Sequence, residues 1–154
     1  MKIDITKEQY KMLAKAVMIA DDVYGILGDE VSEEYKKESN EFEEFRKYIL
    51  GHAKDFGCEN LVEKYRGEII PSDDFSEEMD VVVDAYDDET FWHELETRLG
   101  KRDFERDMTK EERKQAEKDG CYPNKIWDYY EKYQKEFEEH GTERLEIQKD
   151  ENAN

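Results

Sequence analysis

The sequence predicts a mainly α fold. Three observations carry that expectation: apolar residues recur every three or four positions through most of the chain, two capping boxes open such stretches, and glycines fall where the stretches close. The expected architecture is one domain over residues 1–148, with five to six helices. A short two-stranded β ribbon is expected to join the N- and C-terminal segments. Residues 149–154 are expected to form a disordered tail.

The length of 154 residues fits one domain with a real core. Charged residues make up 44% and mean hydropathy is -1.13, which leans toward disorder. Aromatics make up 12%, however, and they recur at helical spacing, so a core rich in rings is expected.

Lys2-Ile3-Asp4-Ile5 alternates polar and apolar, as a short strand does. Thr6-Lys7-Glu8-Gln9 is a capping box, because the Thr hydroxyl accepts from a free helix N–H and Gln reaches back. The helix it opens places Tyr10, Leu13, Val17, Ala20, Tyr24 and Leu27 on one face, with Gly28 placed to end it. Residues 32–56 read as helix, with a break expected near Ser39-Asn40 and Gly57 as its cap. A short helical turn around Leu61 and Val62 follows, and then Glu68-Ile69-Ile70-Pro71 is extended, since a residue before proline avoids the helical region.

Met79, Val82, Val83 and Tyr86 fit a helical period, although Val81-Val82-Val83 also suits a strand. Asp87 or Asp88 is expected to cap a helix through Phe91, Trp92, Leu95 and Leu99. Thr109-Lys110-Glu111-Glu112 is the second capping box, and its helix is polar on nearly every side before Gly120. Pro123 marks the next helix, which carries Ile126, Trp127, Tyr130, Tyr133 and Phe137 and stops at Gly141. Residues 142–148 return to alternation and match the first strand.

Catalytic motifs are scarce. No G-x-G-x-x-G, P-loop or G-x-S-x-G occurs. His93-Glu94 opens like a zincin helix, but position 97 is Thr. His93, Glu89 and Glu96 are the only weak metal candidates, and no cofactor is expected. Neither Asp73 nor Asp84 starts an EF-hand loop, since the sixth-place Gly is absent. Glu41 with Glu44 and Glu77 with Asp80 have the spacing with which helical hydrolases hold magnesium, so a metal-dependent hydrolase is the alternative from the enzyme class. With 43 acids in 154 residues, roughly a dozen such pairs arise by chance. Ser32, Ser39, Ser72 and Ser76 read as caps, and Cys58 lies too far from His52 in register to form a dyad. Two cysteines without C-x-x-C spacing suggest free thiols and a cytoplasmic setting. No stretch reads as an export signal or a membrane span, so no membrane partner is expected.

Charge is the most informative property. The net charge is -19, and residues 67–97 hold 12 acids and no Lys or Arg. Direct nucleic-acid binding is not expected, because that affinity comes from Lys and Arg neutralising phosphates. The expected function is a non-enzymatic binding or regulatory module that meets a basic protein surface. Its candidate contacts are Asp73, Asp74, Glu77, Glu78, Asp80, Asp84, Asp87, Asp88 and Glu89. A DNA mimic that blocks a nucleic-acid-binding protein is the narrower alternative. A third reading lays the acids against Lys101, Arg102, Arg106 and Arg113 of the same chain or of a dimer mate.

The frame Ile3-Asp4-Ile5-Thr6-Lys7-Glu8-Gln9-Tyr10, the run Tyr86-Asp87-Asp88-Glu89-Thr90-Phe91-Trp92-His93-Glu94-Leu95 and the closing Glu143-Arg144-Leu145-Glu146-Ile147 resemble small acidic bacterial proteins of unknown function. The resemblance implies no activity and no ligand.

Overall fold

The computed structural model describes residues 3–146, which form five helices and one β hairpin, a mainly α arrangement. The described chain divides into two compact units, Met1–Ala85 and Tyr86–Asn154.

In the first unit, α1 (Lys7–Glu30) starts at the expected capping box: Thr6 Oγ1 accepts from the Gln9 N–H at 3.2 Å, and Gln9 Oε1 accepts from the Thr6 N–H at 2.9 Å. The helix does not stop at Gly28. That glycine instead permits a close approach, since a Cβ there would lie 3.0 Å from Ser39 Cβ and 3.1 Å from Lys36 Cα of the next helix. Ser32 caps α2 (Glu33–Gly51), which runs unbroken through Ser39 and Asn40. Ser39 and Ser76 lie inside helices, so only Ser32 and Ser72 of the four serines act as caps. Tyr24 stacks on Phe42 at 4.2 Å between the two helices.

Two short 3-10 turns, Ala53–Phe56 and Glu59–Leu61, lead into β1 (Val62–Tyr65) and β2 (Glu68–Pro71). The strands pair antiparallel, with Val62 opposite Pro71 and Tyr65 opposite Glu68. Arg66 and Gly67 turn the chain with φ of 52° and 94°, the positive-φ pair that suits a right-twisted two-residue hairpin.

The ribbon therefore exists, but not where the sequence reading put it. Residues 3–5 and 142–146 form no strand, and Ile147 and Gln148 lie outside the described residues, as does the 149–154 tail. Closing a hairpin across two residues costs far less chain entropy than pairing opposite ends of the chain.

One cluster fills the first unit. Tyr10, Ala14, Val17 and Met18 of α1 meet Ile49 and Leu50 of α2, Ala53, Cys58 and Leu61 of the turns, and Phe75 and Met79 beyond the hairpin. The Tyr10 hydroxyl donates to the Ile49 carbonyl at 2.7 Å, and its ring stacks on Phe56. Burial pushes that phenol up to about 12.

Phe75 and Met79 belong to α3 (Asp73–Asp107), whose first free N–H groups are met by Ser72. Val81, Val82 and Val83 are helical, and Asp87 and Asp88 lie inside the helix and cap nothing. A strand there would need a partner edge, and β1 and β2 already pair with each other.

The second unit consists of the later part of α3 with α4 (Lys110–Asp119) and α5 (Ile126–His140). Thr109 and Glu112 form the second capping box, and α4 buries no residue. Phe104, Ile126 and Phe137 are the buried apolar side chains. Gly100 lets α5 approach closely: a Cβ there would sit 2.6 Å from Tyr130 Cδ1 and 3.1 Å from the Tyr129 carbonyl oxygen. No helix among the described residues is long and apolar enough to cross a membrane.

Candidate functional site

All nine candidate carboxylates fall on α3, and each is exposed. In the first unit, Asp73, Glu77, Asp80 and Asp84 follow one another at spacings of four, three and four. They share the stripe opposite buried Phe75 and Met79. Burying those two side chains is what turns this stripe to water. Asp74 and Glu78 flank it, and Asp73 and Asp74 also complement the positive end of the helix. Asp87, Asp88 and Glu89 begin the second unit on the same element.

Few cations neutralise them. Among the described residues, only Glu78 of the nine forms an ion pair, with Lys15. Asp88 accepts a hydrogen bond from Trp92 Nε1 at 3.1 Å. Asp80 is one of the charges that hold the Asp22 carboxyl above its ordinary range, after burial and together with Asp21.

The four cations proposed as internal partners are engaged in their own unit. Lys101 lies 3.9 Å from Glu105 and over the Tyr122 ring, Arg102 meets Asp103 at 2.8 Å, Arg106 meets Asp103 at 3.5 Å, and Arg113 donates to the Glu105 carbonyl at 2.8 Å.

The weak metal candidates do share a place. Glu89, His93 and Glu96 line a cleft of about 440 Å³ with Trp92, Gln134, Phe137 and Glu138. Burial raises the Glu96 carboxyl, His93 opposes that, and Glu138 and Glu89 add to it. Even so, no three His, Cys, Asp or Glu side chains among the described residues are grouped so as to hold a metal ion. Cys58 is buried and donates to the Phe56 carbonyl, while His52 Nδ1 sits 2.7 Å from Asp55, so the two form no dyad.

The sequence reading missed two polar arrangements. In the first unit, Asp21, Asp22, Glu43 and Arg46 line a groove between α1 and α2, with Arg46 Nε 2.9 Å from Asp21. In the second, Tyr122, Tyr129 and Tyr133 donate to Glu105, Asp107 and Asp103. Tyr130 and Tyr133 could be placed on the last helix from their spacing, but nothing in it signalled which acids the tyrosine hydroxyls reach.

No family model, curated protein or solved structure matches this chain.

Proposed function

We propose that this protein is a non-enzymatic binding or regulatory module that takes a basic protein partner on the carboxylates of α3. One observation carries the reading: eight of the nine exposed acids lack an ion pair among the described residues, Glu78 being the exception. Exposed carboxylates with no cation of their own gain most from a Lys- or Arg-rich surface, which they steer in from a distance. Two free cysteines, Cys58 buried and Cys121 exposed, support placing this encounter in the reducing cytoplasm.

The test immobilises the full chain beside an Asp84→Lys, Asp87→Lys, Asp88→Lys variant. The wild type should retain a specific partner at low salt and release it at about 1 M salt, where the screening length falls to ~3 Å. The variant should retain none, with its helical circular dichroism unchanged. Equal capture by the variant, or capture indifferent to salt, defeats the reading. Competition between this chain and duplex DNA for the captured partner would narrow it to mimicry.

A further inference from the structure

α1 is apolar on two opposite faces. The inward face carries Tyr10, Ala14, Val17 and Met18 into the core. On the outward side Met12, Ala16, Ile19, Val23 and Ile26 follow one another at spacings of four, three, four and three, with Ile19 also packing in part against the core. Met12 is 70%, Val23 43% and Ile26 57% exposed, Ala16 is exposed and Ile19 half-buried. A surface helix needs one apolar stripe, and a helix that is apolar all round is normally covered all round. The alternating four-three spacing is the seam along which two helices interlock.

Charge says what covers it. The bases of α1, Lys7, Lys11 and Lys15, all lie in its first half, whereas Asp21, Asp22, Asp29 and Glu30 lie in its last. Lys15 and Asp22 each directly precede a seam residue, Ala16 and Val23, so they edge the seam on the same flank. We propose that α1 pairs antiparallel with α1 of a second copy of this chain through this outward seam. Such pairing sets Met12 against Val23 of the second copy and small Ala16 against large Ile19. It also brings Lys15 to Asp22 of the second copy, twice by symmetry. Lys15 already meets Glu78, but an ammonium has three donors and keeps capacity for a second carboxylate. This inference does not rest on the α3 reading, although Lys15 also pairs with Glu78 of that set.

Sedimentation equilibrium of the full chain tests it. The wild type should approach twice the chain mass as concentration rises. Met12→Glu with Val23→Glu should raise the self-dissociation constant at least about tenfold, because it sets like charges on desolvated apolar contacts. Both positions are well exposed, so circular dichroism should stay unchanged. Should that variant misfold, a second series decides the matter. Lys15→Asp and Asp22→Lys should each weaken pairing, and the two together should restore it. A chain at monomer mass at every concentration overturns the proposal. So does an unaffected seam variant, or a double swap no better than its parents.

Discussion

The two units are held together by different chemistry. Up to Ala85 the chain closes one contiguous apolar cluster whose single buried hydroxyl, Tyr10, ends on a backbone carbonyl. From Tyr86 onward, among the described residues, only Phe104, Ile126 and Phe137 are buried apolar side chains, while Tyr122, Tyr129 and Tyr133 are half-buried and set their hydroxyls on carboxylates. Phe104 meets Tyr122 and Tyr129 edge-on at 5.7 and 5.4 Å. A chain with 44% charged residues thus builds a core in two ways: by concentrating its aliphatic residues, or by using tyrosine, which buries a ring and satisfies an acid with one side chain.

The sharpest way to break the contrast is Phe104→Ala. Phe104 is fully buried, so its loss should cost about 3–5 kcal/mol. Hydrogen exchange should quicken in α5 and leave α2 protected; equal loss in both helices would show that the two cores melt as one. Gly100→Ala should come next, at about 1–3 kcal/mol from overpacking, less the small helix-propensity gain. A cavity-free gain in melting temperature would show instead that Tyr129 and Tyr130 yield freely.

Tyr133→Phe should cost about 1 kcal/mol, since the lost hydroxyl donates to Asp103 and accepts from Arg102 at 3.0 Å. It should also change the acid limb. The Tyr133 hydroxyl, with Arg102, holds the Asp103 carboxyl below its ordinary 3.8 against the effect of burial. Its stabilisation is therefore present above pH 3.8 and fades as pH falls through the lower folded value. Thermal melts between pH 2 and 6 should show a shallower limb in the variant; identical limbs would place the acid sensitivity elsewhere.

The smallest effect is expected from Glu96→Gln. Burial raises this carboxyl above its ordinary 4.5, so the stability of its protonated form is present below pH 4.5 and lost as pH rises through the folded value. At pH 7 the neutral amide should raise the melting temperature slightly, well under 1 kcal/mol. The gain should vanish at pH 4, and a gain that persists there would mean that packing, not charge, is responsible.

Both capping boxes, the end of α5 at Gly141 and the polar character of α4 could be read directly, because each rests on residues within one turn of one another. The nine acids could be identified as a group, and the exposure of Asp73, Glu77, Asp80 and Asp84 follows from the burial of Phe75 and Met79 on the opposite side of α3. Gly28 and Gly100 misled or said nothing, because a glycine that ends a helix and one that admits a neighbouring helix look alike in sequence. The hairpin was missed on its first strand: Val62-Glu63-Lys64-Tyr65 is half charged, and its place is set by Val62 and Ile69 packing against the core and by Ser72 bonding Asn60 and Leu61 at the far end.

Local chemistry alone settled where α1 and α4 begin and how the charge is distributed. The tertiary structure decided which strands pair, which glycines serve as contacts, and which carboxylate each tyrosine meets. Capping and periodicity act over a few residues and can be seen in the order of side chains. Pairing and close approach depend on distances between segments far apart along the chain, and these exist only once both cores have formed.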